Sequence, residues 1–262
     1  QLFSENAQEA YDNTIQALRI AEHPDVKLPV MVLLDGFIIS HSIDRLDLQD
    51  DTSIQNFIGV RKPAFSVLDA KSPTSVGTFD SLYGYFFEFK RQQEEGMANA
   101  IKVIQEVGKE YGELSGRPYG LFETVGMDDA EYAIIATGSA AGTIRTEVEK
   151  LRSKGIPVGM IKLRSFRPFP AAQLANLLSG LKAVAVFDRS STFAGNTGGP
   201  IFIELRSSLY EMEKKPQIIN FVYGLGGRDL SIELITKAAD ELLEIKQNGF
   251  AQPYVNYLGL RE

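Results

Sequence analysis

The chain has 262 residues, 44% of them apolar and 23% charged, which places it among globular proteins and away from the disordered, fibrous and membrane classes. Twenty-seven basic side chains against 34 acidic ones leave a net charge of −7, which repels nucleic-acid phosphates and anionic lipid. With no cysteine and only two histidines, His23 and His41, it offers no disulfide, thiolate nucleophile, zinc–cysteine site or cysteine-bound iron–sulfur cluster, and no histidine-rich metal site.

Taken from the start, Asn6 can cap a helix over 6–23 whose residues Ala7, Ala10, Tyr11, Ile15 and Leu18 share one face. His23-Pro24 ends it. The apolar run Pro29 to Leu34 then suits a strand buried on both faces of a parallel sheet, followed by Asp35-Gly36. That run stops well short of the ~20 apolar residues that cross a bilayer. One helix and one strand cannot bury both their faces, so residues 1–48 are read as the end of a larger domain. The chain opens on Gln1 without an initiator Met or a signal-like leader, and an upstream portion is expected.

Regularity falls away over residues 49–127, read as a linker arm. Six aromatics fall within residues 79–89 (Phe79, Tyr83, Tyr85, Phe86, Phe87 and Phe89), to be covered by the chain's own domain or by a partner. An amphipathic helix follows over 91–111, with Met97, Ile101, Ile104, Val107 and Tyr111 on one face and Gly112 and Gly116 beyond. Residues 128–246 alternate cleanly: apolar runs at 132–137, 158–163, 183–187 and 218–222, helical patterns at 142–153, 171–178, 200–211 and 231–246. That alternation calls for a complete α/β domain built on a parallel sheet with right-handed crossovers. The apolar tail 247–262 is expected to dock.

Ligands of open parallel sheets bind beyond the carboxyl ends of the strands, which singles out four loops. Thr137 to Gly142 could present amides to a phosphate, or simply turn the chain, since it lacks the G-x-G-x-x-G spacing. Arg164 and Arg167 follow the second strand and suit an anion or an interface carboxylate. The loop from Asp188-Arg189 to Pro200 leads into a helix N-terminus, and Tyr223 to Asp229 turns the chain into the last helix. None holds a nucleophile beside a base, and no catalytic residue is read.

Taken together, Asn6 to Asp12, Leu34 to His41, Ser115 to Tyr119 and the segments around Gly138, Arg164–Pro170, Asp188-Arg189 and Tyr223–Gly227 resemble the alpha subunit of pyruvate and other 2-oxoacid:ferredoxin oxidoreductases. The resemblance implies oxidative decarboxylation of a 2-oxoacid, pyruvate foremost, to acyl-CoA with electrons passing to ferredoxin. It implies the end of a thiamine pyrimidine-type domain over 1–48 and a transketolase C-terminal-like domain over 128–246. Thiamine diphosphate, Mg and iron–sulfur clusters would belong to the complex and none to this chain alone. The implied partners are a thiamine-binding beta subunit, a gamma subunit, a ferredoxin-like delta subunit, ferredoxin and coenzyme A, in a cytoplasmic setting without nucleic acid or membrane. Asp35, His41, Arg164, Arg167, Asp188 and Arg228 become candidates for interface groups or for groups supporting the site, and the isolated chain is expected to be inactive. The alternative is a stand-alone nucleotide-binding or assembly module.

Overall fold

The computed structural model describes residues 1–61, 63, 65–74, 76–77, 82–193, 197–248 and 253–261. Its first part comprises β1 (Leu2–Phe3), α1 (Ala7–Glu22), β2 (Val32–Leu33), α2 (Asp51–Ile58) and α3 (Phe86–Ser115). Its second comprises β3 (Phe122–Val125), β4 (Tyr132–Ala136), α4 (Ala140–Ser153), β5 (Val158–Leu163), α5 (Ala171–Leu178), β6 (Ala183–Asp188), α6 (Pro200–Leu209), β7 (Gln217–Val222), a 3₁₀ turn (Leu225–Gly227), α7 (Ile232–Asn248) and β8 (Val255–Tyr257).

The α/β expectation holds, with two additions. The sheet has six strands in the order β3-β5-β4-β6-β7-β8. Four of them are the strands read from the apolar runs, all parallel. β3 adds antiparallel to β5 and β8 adds parallel to β7, so the sheet is mixed and the apolar tail docks as an edge strand, with Leu258 buried. β4, β5 and β6 are buried at every position, because α4 and α7 cover one face while α5 and α6 cover the other. Alternate residues of one strand therefore serve two cores, Ile134 the first and Ile135 the second.

The first part departs further from its sequence. The run Pro29 to Leu34 forms only two strand residues, paired to β1 and half-buried rather than covered on both faces, with Met31 and Leu34 exposed. A helix not anticipated, α2, is capped by Asp50 through the Ser53 amide, 3.0 Å away. α3 is longer than its periodic stretch. From Ala100 onward it buries Val103, Ile104 and Val107 against Leu2, Ile20 and Val26.

α1 is the largest surprise. Of its expected apolar face only Ile15 is buried, Ala7, Ala10 and Tyr11 are half-buried and Leu18 is 51% exposed, whereas the polar Glu9, Asp12, Asn13 and Gln16 are buried. Burying polar groups is tolerated only when each finds a partner, and here each does. The Asp12 carboxylate accepts from the hydroxyls of Tyr111 and Tyr119, 2.6 Å each, and from the Arg117 guanidinium at 2.8 and 3.1 Å. Three of these four bonds come from the segment that follows α3. Burial opposes its charge, but the bonds from Arg117, Tyr111, Tyr119 and Gln8 outweigh that and hold the carboxyl below the usual aspartate range.

Because the folded carboxyl is the stronger acid, its contribution is present above the usual aspartate range and is lost as pH falls through the folded value. Asp12→Ala is expected to cost about 3–5 kcal/mol at neutral pH, read by urea unfolding, with the gap to the parent chain narrowing in acid. A gap that stays constant from neutral pH into acid would show that the charge of Asp12 is not what stabilises the fold.

Candidate functional site

The chain runs from β4 through α4 to β5 on one side, then returns through α5 to β6 on the other side of β4. Connections that leave in opposite directions open a crevice between the carboxyl ends of β4 and β6. A cleft of about 500 Å³ lies there, within the range of small-molecule sites. Thr137, Arg189, Ser190 and the glycines of Gly224–Gly227 line it from the sheet, and Phe3, Leu34 and Asp35 from the first part of the chain.

Asp35 is the residue that joins the two parts. Its carboxylate accepts the Ser139 amide at 2.7 Å and lies 3.4 Å from the Arg189 guanidinium. Gly138 turns the chain there at φ +64°, and a Cβ on it would stand 2.9 Å from an Asp35 oxygen. The strand-to-helix turn therefore does hold an anion at an amide, and the anion is the chain's own carboxylate. Arg189 was not among the candidates, although its neighbour was. Only the pairing across about 150 residues of sequence reveals it.

Asp188 also lines the cleft, and its carboxylate is bonded within the chain. It is buried, and its oxygens accept the Ile201 and Phe202 amides at 2.9 and 3.1 Å, so it caps α6 from the adjacent strand. Asn220 completes the arrangement by donating to Asp188 and to the Val186 carbonyl, 2.9 Å each, and by accepting the Gly199 amide at 2.9 Å. Only glycine fits at 199, since a Cβ would fall 2.2 Å from the Asp188 side chain. Among the described residues no cation pairs with this carboxyl. Burial pushes it up to about 6, against the bonds from Ile201, Phe202 and Asn220.

The remaining candidates scatter. Arg164 is buried, donating to Asn13 (2.8 Å), Gln16 (3.0 Å) and the Gly120 carbonyl (2.9 Å) beneath the Tyr119 ring. Burial pushes its guanidinium down to about 10, still charged at neutral pH. Arg167 pairs with Glu204 at 2.5 Å and lies over Phe166. His41 stacks on Phe37 in an exposed turn and bonds Ser40 at 2.8 Å. Arg228 donates to the Gly259 carbonyl, tying the last turn to the tail. None of these four lines the cleft.

One further cluster was not anticipated. Glu5, Glu9 and Glu123 bring carboxylate oxygens within 4.8 Å of one another, and the Lys162 ammonium reaches all three at 2.8, 2.6 and 2.6 Å. Burial opposes the lysine's charge, but the three glutamates outweigh that and hold it above the usual lysine range. Arg145 adds a second cation, 3.3 Å from Glu5 and 2.7 Å from Glu123. An acidic group so neutralised does not fit a divalent ion.

Two protein families match this chain: "Pyruvate flavodoxin/ferredoxin oxidoreductase, thiamine diP-bdg" over residues 1–109 and "Pyruvate:ferredoxin oxidoreductase core domain II" over residues 130–235. The pyruvate synthase subunit PorA of Thermotoga maritima is 46% identical over all 262 residues. The chain belongs to the alpha-subunit family of pyruvate and other 2-oxoacid:ferredoxin oxidoreductases. It spans 65% of the length of that relative. The ketoisovalerate oxidoreductase subunit VorA of Pyrococcus abyssi is 34% identical over the full chain and 65% of its own length. The alpha subunit of NADH-dependent phenylglyoxylate dehydrogenase from Aromatoleum evansii is 36% identical over 97% of the chain and 62% of its own. A 2-oxoglutarate:ferredoxin oxidoreductase from Magnetococcus marinus shares the fold, with a TM-score of 0.59 and 17% identity over 92% of this chain and 42% of that one. The alpha-subunit family is the one that the ordered motifs had suggested. Its thiamine diphosphate-binding domain match covers β1 to most of α3, including Asp12 and Asp35, and ends short of the Asp12 partners Tyr111, Arg117 and Tyr119.

The cap on α6 has a pH signature of the opposite sign to that of Asp12. Because the folded Asp188 carboxyl holds its proton to about 6, stability falls as pH rises from the usual aspartate range through that value, by up to about 3 kcal/mol. Asp188→Asn is expected to remove this slope while keeping one acceptor for the α6 amides. Urea unfolding from pH 4 to pH 7 checks it, and an unchanged slope in the variant would refute the assignment.

Proposed function

We propose that this chain forms part of the alpha subunit of a thiamine diphosphate-dependent 2-oxoacid:ferredoxin oxidoreductase whose substrate is pyruvate. Oxidative decarboxylation yields acyl-CoA and passes electrons to ferredoxin. The observation that carries this reading is the 46% identity to a pyruvate synthase alpha subunit over every residue of the chain, against 34% to a ketoisovalerate subunit. Thiamine diphosphate with Mg and the iron–sulfur clusters are assigned to the complex, on a thiamine-binding beta subunit, a gamma subunit and a ferredoxin-like delta subunit. The chain has no cysteine to hold a cluster.

Among the described residues, those of this chain do not fit the diphosphate and its metal. The carboxylates close enough to share an ion are Glu5, Glu9 and Glu123, and Lys162 and Arg145 already neutralise them. The Ser139 amide, at the turn that could have met a phosphate, donates to Asp35, which weakens the case for a free-standing nucleotide module. The role of this chain is therefore scaffold and subunit interface. Asp35 and Arg189 tie the thiamine-family domain to the second sheet at the mouth of the cleft. Among the described residues no helix is long and apolar enough to cross a membrane, and the cytoplasmic setting rests on the family resemblance alone.

The polypeptide that carries this chain, assembled with cluster-bearing and thiamine-bearing subunits, is expected to support pyruvate- and coenzyme A-dependent reduction of ferredoxin. The 262-residue chain alone is expected to reduce none. A higher kcat/KM with 2-ketoisovalerate or phenylglyoxylate than with pyruvate would overturn the substrate assignment. Tight calorimetric binding of thiamine diphosphate or an adenine nucleotide to the chain alone would overturn the scaffold role.

A further inference from the structure

Arg189 lines the cleft with most of its bonding capacity unused. Its side chain is 24% exposed, about as deep as those of Arg19, Arg117, Arg145 and Arg152. Each of those four donates a hydrogen bond to a carboxylate. Among the described residues none accepts a hydrogen bond from Arg189, and its one ion pair, to Asp35, is 3.4 Å long. A guanidinium carries five N–H donors in a planar fork. One drawn this far out of bulk water commonly holds an oxyanion through two parallel bonds.

The surroundings keep the fork in place. Gly224 turns the chain at φ +68°, and a Cβ there would stand 3.1 Å from Cγ and Nε of Arg189, so the turn lies directly on the arginine stem. Thr137 and Ser190 line the same cleft, and no described residue bonds either hydroxyl. Phe3, Leu34, Phe166 and Ile201 supply apolar walls. One open guanidinium, two open hydroxyls and an apolar lining around about 500 Å³ fit a small organic anion with an apolar body. Charge narrows the class. Asp35 and Asp188 also line the cleft, and their repulsion weighs about twice as heavily on a phosphate dianion as on a carboxylate. The Ser139, Ile201 and Phe202 amides, which a phosphate would use, already donate to these two side chains.

We infer that the cleft is a binding site for a small apolar monocarboxylate, held by Arg189 in a bidentate pair and by the hydroxyls of Thr137 and Ser190. Asp35 competes with the ligand for the guanidinium and so limits its affinity. The inference concerns binding to this chain and does not depend on the reaction proposed above.

Titration of the 262-residue chain with benzoate, followed by NMR, tests it, with benzamide and inorganic phosphate as controls. Benzoate is expected to bind one site with a Kd of about 1 mM or below, and both controls about tenfold more weakly or not at all. R189Q is expected to weaken benzoate binding about tenfold or more. T137V leaves the Asp35–Arg189 pair intact and is expected to weaken it about threefold. D35N still accepts the Ser139 amide but gives up the competing charge, and is expected to bind benzoate about threefold more tightly. Circular dichroism confirms that each variant is folded, and T137V and D35N keep the test decisive should R189Q unfold. Benzoate binding no tighter than that of benzamide overturns the proposal, as does phosphate binding tighter than benzoate. Unchanged affinity in R189Q or T137V, or weaker binding in D35N, also overturns it.

Discussion

Asp12 is a fully buried carboxylate, and the rest of the first part of the chain is arranged around keeping it charged. Taking a carboxylate out of water costs several kcal/mol unless hydrogen bonds and a cation replace the lost hydration. Tyr111 comes from the end of α3, Arg117 and Tyr119 from the turn beyond it, and all three converge on Asp12. α1 and the carboxyl end of α3 are thereby bound together, and the chain leaves this junction directly into β3. Glu9, Asn13 and Gln16 on the same helix extend the polar seam to β5, where Lys162 and Arg164 reach across. The two parts are therefore joined by charged and amide groups whose partners are specific, where an apolar contact would allow sliding.

That seam determines where the cleft lies. With α1 held against β5, β2 ends beside the carboxyl ends of β4 and β6, and Asp35 arrives at the turn before α4. Two helix starts at the switch point are then occupied from within the chain, α4's turn by Asp35 and α6 by Asp188. Each is a site where an open α/β sheet commonly receives an external anion. Here both anions are internal.

Asp35 and Asp188 both line the cleft and yet differ in what surrounds their carboxylates. Asp35 has a guanidinium beside it, so its charge is compensated. Asp188 is buried with amide donors and no cation, and its charged form is disfavoured by desolvation. Cation placement decides the difference, and the cation, Arg189, is the residue immediately after Asp188.

What the sequence by itself determined is the second sheet. Continuous apolar runs such as Tyr132–Ala136 and Val158–Leu163 have one stable use, a strand covered on both faces, and the order of motifs along the chain pointed to the family. β3 and β8 escaped because edge strands are short and only partly buried, so their periodicity is weak. α2 starts at an Asp50 cap, but the Gly-, Pro- and Ser-rich segment around it carries no helical periodicity beyond its eight residues. Tertiary structure alone decided which face of α1 is inward. Glu9, Asp12, Asn13 and Gln16 look like a solvated stripe until Lys162, Arg164, Arg117 and two tyrosines, all about 100 or more residues away, are brought to it. Hydrophobic periodicity reports burial only when burial is apolar. A buried polar seam depends on partners supplied by distant segments, and no local pattern can announce them.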